Sequence, residues 1–151
     1  MEKKIIWTNG CFDVLHRGHI ELFKYAKSLG DKLIVGIDSD EKVKKDKGKF
    51  RPINTMRDRK FILESIKYID KVITFNSTQG LEDTIETILP NIMVIGSDWK
   101  GKTVIGQQYT DELIFFDRIG DYSTTNILNG ETNNIKCTRM SKILHNKRLG
   151  V

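Results

Sequence analysis

Two histidines, His16 and His19, stand three residues apart in the stretch Thr8-Asn9-Gly10-Cys11-Phe12-Asp13-Val14-Leu15-His16-Arg17-Gly18-His19, and the chain has only one other. At that spacing a first helical turn aims both rings the same way. Two imidazoles on one face can donate hydrogen bonds to the oxygens of a phosphorus centre that is gaining charge. Gly10 is read as letting the backbone turn tightly and approach a ligand, and Gly18 as keeping a side chain out of the space between the rings. The plainer reading is a pair of surface or capping histidines. Their clustering in a glycine-containing turn favours chemistry.

The elements that must position this turn are legible around it. The apolar run Ile5-Ile6-Trp7 leads in as a strand over residues 4–8, and a helical stripe of Ile20, Phe23, Ala26 and Leu29 leads out over 17–29, with Gly30 as its stop. A continuous apolar strand follows at 32–37, which completes a βαβ unit. Parallel sheets bind ligands at the carboxyl ends of their strands, and a helix N-terminus there offers free N–H groups to phosphate. Further strands are predicted at 71–75, 92–95 and 113–116. A helix behind a Thr55 cap runs to about 68, burying Phe61 or Ile62 with Ile66 and Ile69, and another at 81–89 is stopped by Pro90.

Three more stretches fall at strand ends. Residues 41–51 carry Lys42, Lys44, Lys45, Lys47 and Lys49, a solvated charge run or a mobile loop suited to polyphosphate. Asp98 and Trp99 follow the fourth strand and could hold a ribose and a base by hydrogen bond and stacking; Trp99 as ordinary core packing stays equally open. Ser123-Thr124-Thr125 precedes Asn126-Ile127-Leu128 as a helix start, and capping needs one hydroxyl rather than three, so the others are free to meet phosphate.

Composition bounds the rest. With 38% hydrophobic and 30% charged residues in 151, the chain suits one soluble domain over 1–130 and a basic tail over 131–151. Residues 132–151 hold five basic residues and no acid, so the net charge of +5 belongs to them and the rest of the chain is neutral overall. That argues against nucleic-acid binding by the domain on electrostatic grounds. There is no apolar run long enough to span a membrane and no secretory leader pattern, so a cytoplasmic location is expected. Cys11 and Cys137 are too few and too far apart for a disulfide framework or zinc site, and no metal-ligating cluster is evident.

His16-Arg17-Gly18-His19 resembles the HxGH signature of the nucleotidylyltransferase superfamily, and the longer string from Asn9 to His19 resembles its cytidylyltransferase-like branch. Ser123-Thr124-Thr125 resembles that family's second signature. The resemblance implies an α/β, Rossmann-like three-layer fold on a mostly parallel five-stranded sheet. It implies transfer of a nucleotidyl group to a phosphorylated sugar or alcohol, with release of pyrophosphate and with Mg2+ on the phosphates. His16 and His19 would act on the α-phosphate. Lys47 and Arg59 would face the departing phosphates, although dipole grounds alone make Arg59, in a first helical turn, equally a surface residue. Thr8, Asn9, Gly10, Cys11, Phe12, Gly18, Asp98, Trp99, Ser123, Thr124 and Thr125 would bind the nucleotide. The stretches 48–54 and 120–125 resemble the heptose 1-phosphate adenylyltransferase domain, which often carries a fused sugar kinase that this chain is too short to include. The stretch 96–102 looks more like glycerol-3-phosphate cytidylyltransferase. ATP is therefore preferred over CTP. A non-catalytic nucleotide-binding regulator is the alternative, and a homodimer is implied by resemblance only.

Overall fold

The computed structural model describes residues 2–120 and 122–130. Asp121 and the tail over 131–151 lie outside the described residues.

Five strands, β1 (Ile5–Gly10), β2 (Lys32–Asp38), β3 (Lys71–Phe75), β4 (Ile92–Gly96) and β5 (Glu112–Phe116), form one sheet in the order β3-β2-β1-β4-β5. Every pairing is parallel. Helices α1 (Arg17–Ser28), α2 (Asp40–Lys47), α3 (Met56–Glu64), α4 (Thr78–Ile88) and α5 (Thr124–Leu128) complete the fold. Because strand side chains alternate between faces, the apolar strands feed two cores. Ile6, Leu33, Val35, Ile37, Ile92 and Val94 pack with Phe23 and Ala26 of α1 and Leu63 of α3. Trp7, Ile34, Met93 and Ile95 pack with Leu81 and Ile85 of α4 on the other face. The result is the three-layer arrangement. No helix among the described residues is long and apolar enough to cross a membrane.

Trp7 lies flat over β2 because position 36 has no side chain. A Cβ on Gly36 would stand 2.5 Å from the Trp7 ring, deep in the sheet where neither can move. Gly36→Ala is expected to cost about 1–3 kcal/mol, read as a lower urea midpoint at unchanged slope.

The register explains where a ligand fits. β1 pairs with β2 along its whole length, from Ile5↔Lys32 to Gly10↔Ile37. It pairs with β4 only at Ile6↔Ile92 and Trp7↔Met93. Beyond Trp7 the two strands part, and a crevice opens at their carboxyl ends, where successive connections leave β1 in opposite directions.

Local structure departs from the sequence pattern at four places. The charge run is a loop only from residue 48 on; its first part is α2, capped by Ser39, whose hydroxyl accepts from the Lys42 N–H at 3.2 Å. Asp40 and Glu41 in its first turn and Lys44, Lys45 and Lys47 in its last complement the helix dipole, and Lys42 bridges Asp38 and Asp46. Val43 is its only buried residue, so no hydrophobic period announced it. α3 ends at Glu64 rather than near 68; it buries Arg59 and Leu63 and leaves Phe61 and Ile62 outside, because the inward stripe is set by an arginine rather than an apolar residue. α4 starts at Thr78, behind a Ser77 cap, because its first turn is polar. Gly30 is no left-handed stop: a Cβ there would meet the Lys4 carbonyl and Ile6 at 2.8 Å, so its smallness serves close packing against β1.

Candidate active site

The crevice holds about 310 Å³, in the size class of small-molecule sites. Of the residues singled out in the sequence it is bordered by Gly10, Cys11, Phe12, His16, Gly18, His19, Lys47, Asp98, Ser123, Thr124 and Thr125. Thr8, Asn9, Arg59 and Trp99 are not among its walls. Thr8 is buried under the sheet end, and the Asn9 side-chain oxygen accepts from the Trp7 indole at 2.9 Å. Trp99 is half exposed, with the Lys102 ammonium 5.7 Å from its ring, so it is not ordinary core packing. The aromatic side chains on its walls are Phe12, Phe116 and Tyr122.

The turn is built around Phe12, not Gly10. Phe12 adopts φ 49°, the left-handed region, and its buried ring packs edge-on against His19 at 5.5 Å and Phe23 at 5.1 Å. His16 then caps α1, and the two imidazoles stack with centroids 3.8 Å apart. Gly18 is required for this: a Cβ would stand 2.8 Å from the His16 ring. The backbone N–H of His16 donates to Nδ1 of His19 at 3.2 Å. A backbone N–H can only donate, so Nδ1 is the acceptor and the neutral ring carries its proton on Nε2. The contact that closes the helix end thus leaves Nε2–H as the ring donor of His19, a residue that borders the crevice. Nδ1 of His16 is the one buried side-chain nitrogen or oxygen among the described residues with no partner.

Burial, with the His16 and Lys47 charges adding to it, pushes His19 down to about 3. Burial and Arg118 lower His16 as well. At neutral pH both rings are neutral donors rather than acids. An unfolded histidine titrates near 6.5, so between that value and 3 the unfolded chain binds a proton the folded chain refuses. Acidification through this window therefore destabilises the fold. His19→Gln is expected to flatten that part of the curve of unfolding free energy against pH. The Cys11 thiol is raised by burial, which outweighs the neighbouring Arg59 and Lys47 charges, so it is no thiolate nucleophile.

Two buried polar groups that sequence reasoning missed or misplaced hold the walls together. Asp13 accepts from Arg51 Nε and from the backbone N–H groups of Ile53 and Asn54, each at 2.8 Å, and its own carbonyl receives the Asn54 amide. Burial would raise its carboxyl, but these donors outweigh it and hold Asp13 below the usual carboxylate range. Arg59, fully buried, donates to the Cys11 carbonyl, the Asn54 carbonyl and Asp40, at 2.9, 3.0 and 2.8 Å. Asp40 also takes the first N–H of α3, from Met56. Segment 51–54 is thereby clamped between the histidine turn and α3. Arg59 is spent on this clamp and does not face the crevice. The signal for Asp13 was its placing: an acid between Phe12 and Val14, inside the turn itself.

The opposite wall comes from the ends of β4 and β5. Ser123 caps α5, accepting from the Asn126 N–H at 3.4 Å, and the Thr124 hydroxyl donates to the Val14 carbonyl at 2.7 Å. Two of the three hydroxyls thus have structural work, and Thr124 ties α5 to the histidine turn. Arg118 borders the crevice and pairs with Asp98 at 2.8 Å; it was overlooked because no pattern marks a lone arginine after a strand. Both carboxylates on the walls are therefore engaged, Asp13 by Arg51 and Asp98 by Arg118. No three His, Cys, Asp or Glu side chains converge as metal ligands among the described residues. This donor set fits a cation carried on a substrate's own phosphate oxygens.

Comparison with known proteins agrees with this geometry. A family model described as cytidylyltransferase-like matches residues 7–142. The bifunctional protein HldE of Aliarcobacter butzleri (strain RM4018) is 44% identical over 135 residues, which are 89% of this chain and 28% of that protein. The chain therefore spans little more than a quarter of that relative's length. The lipopolysaccharide core biosynthesis protein from Thermoplasma volcanium GSS1 superposes with TM-score 0.61 at 26% identity, covering 81% of this chain and all of that one. The pantothenate synthetase from Thermus thermophilus shares the fold, with TM-score 0.58 at 12% identity over 82% of this chain and 61% of its own. The parallel sheet, the histidine turn at its switch point and the match over most of the chain together place this protein in the cytidylyltransferase-like family.

Proposed function

We propose that this chain transfers a nucleotidyl group from a nucleoside triphosphate, ATP in preference to CTP, to a sugar phosphate, heptose 1-phosphate foremost, releasing pyrophosphate. The observation that carries the reading is the pair of stacked, neutral imidazoles at the N-terminus of α1, one of them with its proton held on Nε2. A phosphate oxygen of the acceptor attacks the α-phosphorus in line. Its second pKa is about 6, so it is already a nucleophile at neutral pH and no general base is needed. Catalysis is then positioning and charge stabilisation. His16 and His19 donate to the α-phosphate oxygens as their charge grows, while the first N–H groups of α1 add their dipole. Lys47 neutralises phosphate charge. Ser123, Thr124 and Thr125 present backbone groups to the triphosphate, and Ser123 and Thr125 their hydroxyls as well. Mg2+ comes as the triphosphate's counter-ion and screens its charge.

The heptose acceptor is supported by the resemblance of stretches 48–54 and 120–125 and by the HldE and lipopolysaccharide core biosynthesis relatives. The reading includes a homodimer, supported by the exposed Phe50 and Phe61 and checked by sedimentation. The decisive test is pyrophosphate release with Mg2+, crossing ATP, CTP, GTP and UTP against sugar and polyol phosphates. ATP with heptose 1-phosphate is the expected productive pair. CTP with glycerol 3-phosphate would keep the mechanism and change the substrates. Nucleotide binding without turnover on any acceptor would favour a regulator.

A further inference from the structure

We propose that Arg51 is the residue that binds the acceptor's phosphate, held in place for it by Asp13; this rests on the nucleotidyl-transfer reading above. Arg51 borders the crevice with its side chain largely enclosed, 15% exposed. Its Nε donates to Asp13 at 2.8 Å, and the side chain makes no other hydrogen bond among the described residues. The two Nη groups are therefore uncommitted. A guanidinium pinned through Nε to a buried carboxylate has its plane set in advance, and its free edge is the fork that matches a phosphate bidentately. Asp13 cannot rotate away, because two backbone N–H groups hold its other lone pairs.

The division of the crevice assigns the ligand. The β4–β5 wall offers Phe116, Tyr122, Asp98 and a run of hydroxyls, features suited to a nucleoside and its polyphosphate. The wall facing it, from α2 and segment 51–54, offers two cations, Lys47 and Arg51, and no exposed ring at the crevice. A small dianion, the phosphate monoester of a sugar, is what that wall recognises. In-line transfer requires acceptor and leaving group on opposite sides of the α-phosphorus, and the histidine pair reaches both walls: His16 stacks 6.0 Å from Tyr122 and feels Arg118, while His19 feels Lys47.

The test measures binding and turnover separately. Wild type and Arg51→Gln, each saturated with an α,β-methylene triphosphate analogue, are titrated with heptose 1-phosphate and with inorganic phosphate by calorimetry. Wild type is expected to bind both, and Arg51→Gln to bind each about 30-fold more weakly, the size of a lost charge-assisted pair, with affinity for the analogue unchanged. Asp13→Asn, which keeps the shape but loosens the guanidinium, is expected to fall between them; thermal unfolding reports whether either variant is folded. Acceptor affinity unchanged in a folded Arg51→Gln, affinity lost for the analogue instead, or no phosphate binding by wild type would each overturn the proposal. Wild-type binding without turnover across the panel would remove the nucleotidyl-transfer reading and leave Arg51 as a phosphate site.

Discussion

Replacing His16 by alanine is expected to lower kcat about 10²–10³-fold while leaving nucleotide affinity nearly unchanged, as for the loss of one preorganised donor to a developing oxyanion. The asymmetry follows from when the hydrogen bond matters. A neutral imidazole interacts weakly with a ground-state phosphate that is already solvated by cations, and strongly with the charge that builds on the α-phosphate oxygens during attack. His16 is suited to this by partial burial and a lowered pKa, which keep it a neutral donor. Pre-steady-state kinetics with a nucleotide-binding measurement separate the two quantities, and a parallel drop in kcat and affinity would argue for simple substrate binding. His16→Asn, which retains a donor, is expected to recover part of the rate. Gly18→Ala reaches the same end by another route, since its Cβ displaces the His16 ring without removing it.

Arg59→Met is expected to destabilise the fold by about 3 kcal/mol, the lower end for breaking a buried ion pair because Asp40 keeps partial contact with water. The substitution strands the Cys11 and Asn54 carbonyls and loosens the segment that carries Arg51. Urea unfolding checks the magnitude. Measured where the variant is folded, nucleotide affinity is expected to be near that of wild type, because the guanidinium does not border the crevice. A variant of wild-type stability that bound nucleotide poorly would restore Arg59 to the phosphates and sink the clamp. The contrast with Arg51 is instructive. The two arginines lie eight residues apart, and the carboxylates they meet, Asp40 and Asp13, go with their places: Arg59 is buried in the clamp and Arg51 borders the crevice.

The sequence by itself determined the strands, α1, the α/β class and the position of the histidine turn, since continuous apolar runs and a helical stripe with a glycine-containing junction are local signals. It located part of one crevice wall through the hydroxyl run and part of the other through Lys47. Only the tertiary structure decided which polar groups turn inward. Arg59 reads as a surface or ligand-facing arginine until Cys11, Asn54 and Asp40, distant in sequence, converge on it. Asp13 reads as one polar letter in a turn until segment 51–54 folds over it. The proton on His19 Nε2 is beyond any pattern, because it depends on a single backbone N–H aimed at the other ring nitrogen. Hydrophobic period records which face is buried, whereas the partner of a buried charge is settled by long-range geometry, and in this protein those partners build the site.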